Sequence, residues 1–270
     1  MTETSTPIEI TVDVSRNDQG VWRVYLNRPQ LRNAFNSDVI RGLREAFDRV
    51  REDADARVVV LGGHGKAFCA GGDLNMMRAM ADCSWEDNRD GAQAMADMMW
   101  AMEQCPVPIV ARIHGDCYAG GMGLAALADI VVSVPEATFC LSEVRLGLIP
   151  ATISPYVVRA MGRRAAQRYF VTAERFSAQQ AADCGFVHTV VDSAELDVTV
   201  DGLVQSIVVC GPQAVRLSKQ LIRDVDGAEL TPELRADTAR RIADIRATDE
   251  GKEGVSSFLE KRQASWVKGL

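Results

Sequence analysis

The stretch that decides the fold is Gly65-Lys66-Ala67-Phe68-Cys69-Ala70-Gly71-Gly72-Asp73-Leu74. It follows the run at residues 57–61, RVVVL, whose β-branched side chains suit a strand buried on both faces. It precedes a Met-rich stretch with helical character. A second segment repeats the arrangement: Gly115-Asp116-Cys117-Tyr118-Ala119-Gly120-Gly121-Met122-Gly123-Leu124 follows a strand-like run at 109–113 and leads into the small-residue run AALADI at 125–130. Each segment reads as strand, glycine turn, helix start. Glycines in such a turn let a ligand approach the backbone and free the chain to aim N–H groups outward. A helix start adds unpaired N–H donors and a partial positive charge. Two such turns on neighbouring strands can direct two N–H groups at one oxygen, which is an oxyanion hole. Tight turning and close packing are the plain alternative use of the same glycines. Neither segment fits G-x-G-x-x-G or G-x-x-x-x-G-K-[ST], so a nucleotide phosphate cradle is not expected.

Outward from the two turns, residues 8–14 alternate apolar with polar, and a second strand at 21–26 follows Asn17-Asp18-Gln19-Gly20, which predicts a hairpin. Asn36 or Ser37 is placed to cap a helix with Val39, Ile40, Leu43, Phe47 and Val50 on one stripe. A helix is expected over 84–103, stopped by Pro106 and Pro108, and further strands at 129–134 and 138–141. From about residue 153 helical periodicity dominates, over 157–161, 165–170, 178–184, 196–209, 214–225, 234–247 and 255–266. Thr231-Pro232 is a helix start, a capping hydroxyl before a proline at the first helical position. The reading is an α/β core over 1–195 and a helical region over 196–270.

The composition supports a core of that size, with 47% hydrophobic residues in a chain of 270. The formal net charge of −7 disfavours a general nucleic-acid binder. The seven cysteines are odd in number and hold no C-x-x-C pair, which points to reduced thiols and a cytoplasmic setting. Three histidines without an H-x-x-x-H pair make a metal site unexpected. The leading MTETSTP has neither secretory nor transit character, and no apolar run approaches 18 residues, so no membrane partner is expected.

Five segments, taken in order, resemble the crotonase (enoyl-CoA hydratase/isomerase) superfamily: Asn27-Arg28-Pro29 with Asn33-Ala34, GKAFCAGGDL (65–74), HGDCYAGGMGL (114–124), FCLSEVRLGLIP (139–150) and EGVSSFLEKR (253–262). The resemblance spans nearly the whole chain. Within the family, the stretch from SEVRLGLIP onward is most similar to the bacterial methylglutaconyl-CoA and carboxygeranoyl-CoA hydratases of leucine and acyclic-terpene breakdown. The resemblance implies a spiral of ββα units followed by helices that build a trimer, often paired into a hexamer. It implies acyl-CoA substrates, with coenzyme A as part of the substrate and no separate cofactor. By position, the hole donors are the backbone N–H groups of Gly72 and Gly120. Ala70, Gly71, Gly72, Asp73 and Leu74 would line the adenine end of coenzyme A. Gln30, Leu31 and Arg32 fall where the family contacts the nucleotide and pantetheine, and Arg32 would meet a phosphate. Phe258 and Lys261 fall on the C-terminal helix that helps close over the adenine.

A conjugated thioester gathers negative charge on its oxygen when C2 or C3 reacts, and each N–H donor to it contributes about 3 kcal/mol. A carboxylate then moves the protons. The well-studied hydratases use two glutamates. One is matched here by Glu143; the other falls at Gly123 and is absent. One carboxylate on the correct face can activate water and then return the proton to C2. The same single-acid pattern belongs to Δ3,Δ2-enoyl-CoA isomerases. The expectation is therefore an enoyl-CoA hydratase, with the isomerase and a noncatalytic acyl-CoA-binding protein as alternatives. An ion pair between Glu143 and Arg145 is the structural alternative for that glutamate. Asp116 lies in the second turn but at no matched catalytic position. The methionines at 76, 77, 80, 95, 98, 99 and 102 serve either an acyl pocket or helix packing, and Tyr118 and His114 fit a satisfied core role, with contact to the acyl group or a distal carboxylate as the alternative.

Overall fold

A computed structural model, describing residues 10–267, opens with an antiparallel pair, β1 (Val12–Arg16) and β2 (Val21–Leu26). Asn17 closes the turn, its Oδ1 accepting from the N–H groups of Gln19 (3.1 Å) and Val21 (2.9 Å). That side-chain turn lets pairing run on to Arg16 opposite Trp22, so β1 lies later than the expected 8–14. Residues 8 and 9 fall outside the described residues. Asn36 is the cap of α1 (Ser37–Glu52), accepting from Val39 N–H at 2.9 Å, a contact worth about 1 kcal/mol. The predicted stripe Val39, Ile40, Leu43, Phe47, Val50 is buried.

The chain continues through β3 (Val58–Gly63), α2 (Leu74–Ala81), α3 (Trp85–Glu103), β4 (Ile109–Ile113), β5 (Cys117–Tyr118), α4 (Gly120–Ala126), β6 (Ile130–Ser133) and β7 (Thr138–Cys140). Then come α5 (Ser154–Thr172), β8 (Phe176–Ser177), α6 (Ala178–Asp183), β9 (Thr189–Val190), α7 (Leu196–Val208), α8 (Pro212–Val225), α9 (Pro232–Ala247) and α10 (Asp249–Leu259). One sheet has six strands in the order β1-β2-β3-β4-β6-β9, parallel from β2 onward. A second, of three strands ordered β5-β7-β8, pairs β5 parallel to β7 and β7 antiparallel to β8. β3 is buried along its whole length, as expected of a run bounded by strands on both sides.

Some expected boundaries shift for local reasons. Residues 157–161 and 165–170 belong to one element, α5, broken at Gly162 with φ 75°. The helix expected at 255–266 begins and ends earlier, because Thr248 Oγ1 caps α10 by accepting from Gly251 N–H at 3.0 Å and the chain turns out of it at Lys261, φ 55°. Leu196, Val200, Val204 and Val208 of α7 are buried in the same core as the sheet, so a boundary at residue 195 stands ahead of a core helix. Among the described residues no single helix is long and apolar enough to cross a membrane.

Polar anchors tie α8 to the main sheet. Arg216 donates to the carbonyls of Asp53, Ala54 and Ala56 just before β3. Lys219, 8% exposed, donates to Val107 O (2.9 Å) and Asp129 Oδ2 (2.6 Å), and that carboxylate also accepts from Ile109 N–H at 2.7 Å. Removing one partner of such a pair leaves an uncompensated buried charge. Asp129→Ala is expected to lose about 3 kcal/mol of stability by urea denaturation, against under about 0.5 kcal/mol for alanine at the exposed Asp201, a surface control.

Candidate active site

Three segments run side by side through Cys69, Cys117 and Cys140. Cys69 bridges Cys117 in parallel, with Cys69 N–H donating to Asp116 O (3.0 Å) and Tyr118 N–H to Cys69 O (2.8 Å). β5 then pairs in parallel with β7, Tyr118 opposite Cys140, and Ala119 N–H donates to Cys140 O at 2.8 Å. All three segments point the same way, so their C-terminal extensions leave one common edge. Gly72 lies three residues after Cys69, Gly120 three after Cys117 and Glu143 three after Cys140. The three predicted catalytic positions are thus brought to one edge by backbone register. The cysteines themselves are buried packing groups, and burial pushes the Cys69 thiol up to about 12, which removes thiolate chemistry at neutral pH.

Each glycine presents a free N–H. Phe35 uses both its backbone groups on the first turn, donating to Gly71 O and accepting from Asp73 N–H, each at 2.8 Å. In a parallel bridge of this kind the intervening residue, Gly72, turns its own N–H to the other side. Gly120 is the first residue of α4, where the N–H has no partner within the helix. Neither N–H has an acceptor among the described residues. Ala119, just before Gly120, is held at φ 47°, ψ −118°. That conformation is unfavourable for a residue with a Cβ, by about 1–3 kcal/mol, and reorients the next peptide.

The two glycines differ in surroundings. A Cβ on Gly120 would meet the Phe35 ring at 2.8 and 2.9 Å and Met95 Cε at 3.1 Å. One on Gly72 would make only ordinary contact with Met77, at 3.5 and 3.6 Å. Met77 and Met95 therefore flank the two donors, whereas Met98, Met99 and Met102 are fully buried core residues. Helix packing therefore accounts for those three of the methionines.

Glu143 opens a short 3-10 turn, Glu143–Leu146. Its Oε2 is buried and has no hydrogen-bond partner, and among the described residues it forms no ion pair, with Arg145 or any other cation. Burial, the dominant influence, raises its pKa above that of an ordinary glutamate. A desolvated carboxylate with a free oxygen is suited to taking and returning a proton. The place expected for a second carboxylate is closed, since a Cβ on Gly123 would lie 2.4 Å from Ile153 Cγ2.

The predicted binding residues are positioned in several ways. Gln30 and Leu31 are exposed on the 3-10 turn Pro29–Leu31. Arg32 O accepts from Ala70 N–H at 3.0 Å, so this segment lies beside the first glycine turn, and the exposed Arg32 side chain pairs with Asp116. Leu74 is exposed at the start of α2. The Asp73 side chain is already committed: it is buried, pairs with Arg28 at 2.9 Å and accepts from the N–H groups of Asn75 (2.8 Å) and Met76 (3.3 Å). Its backbone is committed as well, the N–H donating to Phe35 O at 2.8 Å and the carbonyl accepting from Met77 N–H at 2.9 Å, so Asp73 holds the turn rather than offering a free group to a ligand. Phe258 lies in the last turn of α10, which packs on α9, whereas Lys261, expected on the same helix, falls two residues beyond its end, where φ 55° turns the chain away. Phe258 is 81% exposed, and no hydrogen bond or ion pair among the described residues ties either residue to the glycine turns.

Other side chains brace the turns. Thr138 Oγ1 donates to Asp116 Oδ1 (2.5 Å), so the Tyr118 hydroxyl, 2.6 Å away, must donate to Thr138. His114 Nε2 stands 3.0 Å from Gly65 O and links the starts of the two glycine segments. A carbonyl only accepts, so that nitrogen carries the proton, and burial lowers the imidazole pKa. Arg28, Phe35 and Ile153 were not singled out from sequence. Their signal was contextual: each is opposite a turn residue only once the chain is folded.

The family profile for Enoyl-CoA hydratase/isomerase matches residues 16–269. Enoyl-CoA hydratase ACTT6 of Alternaria alternata is 33% identical over 251 residues, 92% of this chain and 81% of the relative. The crystal structure of an enoyl-CoA hydratase from Shewanella pealeana is 36% identical with TM-score 0.90, covering 95% of this chain and 96% of that one. AtuE of Pseudomonas aeruginosa is 34% identical with TM-score 0.90, covering 96% and 100%.

The contrast between the glycines is testable. Gly120→Ala must displace the second turn against Phe35, with turnover falling by about 10²–10³, the loss typical of one hole donor. Gly72→Ala keeps its N–H and has room, so it retains the larger share of activity at unchanged melting temperature. Steady-state kinetics showing the reverse order would contradict this geometry.

Proposed function

The chain belongs to the enoyl-CoA hydratase/isomerase family, and on that premise we propose that it adds water across the 2,3 double bond of an enoyl-CoA thioester with Glu143 as its one acid–base group. The thioester oxygen receives the N–H groups of Gly72 and Gly120. The ionised Glu143 takes a proton from water as the water oxygen bonds to C3. The C2–C3 π electrons move to an enolate whose charge rests on the thioester oxygen. Glu143, now protonated, delivers its proton to C2, which leaves H on C2, OH on C3 and the carboxylate restored. The observation that carries this reading is the buried, unpartnered Glu143 Oε2 just after β7, which pairs with β5 ahead of the Gly120 N–H, β5 being bridged in turn to the Cys69 segment ahead of the Gly72 N–H.

The acyl group we assign is of the methylglutaconyl type. The support is the SEVRLGLIP resemblance and the apolar side chains, Met77 and Met95, around the donors. A second reading, Δ3,Δ2-isomerisation, is favoured by one observation: hydrocarbon of Ile153 and Met99 stands where a second polar group would help hold water. A noncatalytic acyl-CoA-binding protein is the third reading. The exposed Leu217, Ile222, Ile242 and Val255 on α8, α9 and α10 support assembly as a homotrimer or homohexamer, and the seven unbonded thiols support a cytoplasmic location.

Loss of conjugated-enoyl absorbance with crotonyl-CoA and 3-methylglutaconyl-CoA tests hydration; a 3-enoyl-CoA converted to 2-enoyl-CoA without hydroxyacyl product would select the isomerase instead. Glu143→Gln is expected to bind thioester nearly as the parent does and to lose about 10²–10⁴ in turnover. Because burial raises the Glu143 pKa, the base form accumulates only at higher pH. The acidic limb of kcat/KM should therefore lie above the ordinary glutamate value of about 4.3 and vanish in Glu143→Gln. Retained turnover in that variant removes Glu143 from the chemistry.

A further inference from the structure

A Cβ built on Gly123 would stand 2.4 Å from Ile153 Cγ2, 2.9 Å from Ile153 Cβ and 2.9 Å from Met99 Cε. These are unequal obstacles. Met99 Cε ends a flexible side chain and can swing aside. Ile153 Cβ is placed by the backbone, so no rotamer moves it, and branching at Cβ restricts where Cγ2 can go. The backbone is itself held. Ser154 N–H donates to Ala151 O at 3.2 Å, and Tyr156 and Val157 N–H both donate to Ile153 O, at 3.2 and 3.0 Å. Ile153 is 1% exposed and Met99 fully buried. The room a bare glycine would leave is therefore occupied by hydrocarbon.

From this packing we propose that Ile153 is a specificity-determining residue that holds the site to a single carboxylate. While Ile153 stands, any side chain at position 123 overlaps it and must displace the packing, a carboxylate included. Positions 123 and 153 are one coupled choice: glycine with isoleucine, or a carboxylate with a residue that has no side chain. A carboxylate forced between Ile153 and Met99 would also lose its hydration without gaining a partner. A bound acyl group thus meets Glu143 and hydrocarbon rather than two acids. The catalytic half of the inference rests on the reading of Glu143 as the acid–base group; the packing half does not.

The test is a double-mutant cycle followed by a pH profile. Gly123→Ala is expected to lower Tm by roughly 3–10 °C through overpacking. Ile153→Gly lowers it through a cavity. The pair together should lose clearly less than the sum of the two. Additive losses, or a Gly123→Ala protein as stable as the parent, overturn the coupling. In the second arm Gly123→Glu/Ile153→Gly is assayed with crotonyl-CoA and with a 3-enoyl-CoA. Its kcat/KM profile should gain an ionisation that Ile153→Gly lacks. Coupled melting with an unchanged profile overturns the role in specificity. Failure of the parent to turn over either thioester would refute the reading of Glu143, while the melting cycle would still decide the packing.

Discussion

Everything at the site depends on the parallel alignment of three short backbone segments at Cys69, Cys117 and Cys140. Hydrogen bonds of 2.8–3.0 Å lock their register. Parallel direction then sends a glycine turn, a helix start and a carboxylate out of the same edge. A slip of one residue in any of them would turn the adjoining group to the opposite face. No side chain needs to hold the two N–H donors, because the main chain already does.

That economy explains the accessory residues. The first turn is held from below by Phe35 and by the buried Arg28–Asp73 pair, which also caps α2. The Phe35 ring closes the space beside Gly120 in the second, so one residue meets the first turn with its backbone and the second with its ring. Ala119 keeps an unfavourable conformation that α4 and β7 enforce through Met122 N–H to Ala119 O (2.9 Å) and Ala119 N–H to Cys140 O. Among the described residues Glu143 Oε2 is one of three buried side-chain polar atoms without a partner, with Arg28 Nε and His114 Nδ1, and the only carboxylate oxygen of the three. An unsatisfied carboxylate oxygen is destabilising, and its persistence fits a group reserved for a ligand proton.

Much of this was legible before folding. The β-branched run at 57–61 announces β3, the pair Asn36-Ser37 announces the start of α1 without deciding which residue caps it, and the two glycine segments follow β3 and β4 as expected. Short elements were not legible: β5, β8 and β9 are each two residues long and exist only because a neighbouring strand supplies hydrogen bonds. Glu143 was identifiable by its motif, yet its state was not. Apart from the motif, an exposed or Arg145-paired carboxylate is the simpler reading of Glu143, and only folding yields the unpartnered, desolvated carboxyl. In sequence, Gly123 marks only the absence of an acid. That Ile153, thirty residues on, fills its place could not be read from spacing, because it depends on how the segment after the 3-10 turn packs against α4.

The position of a bound thioester oxygen decides between this chemistry and any other. A crystal structure of the full chain with a nonhydrolysable acyl-CoA thioester would show it directly. The predicted place for that oxygen is about 2.7–3.1 Å from the nitrogens of both Gly72 and Gly120, with the Glu143 carboxylate facing C2 and C3. An oxygen bound away from either turn, or a Glu143 side chain swung toward solvent in the complex, would contradict it.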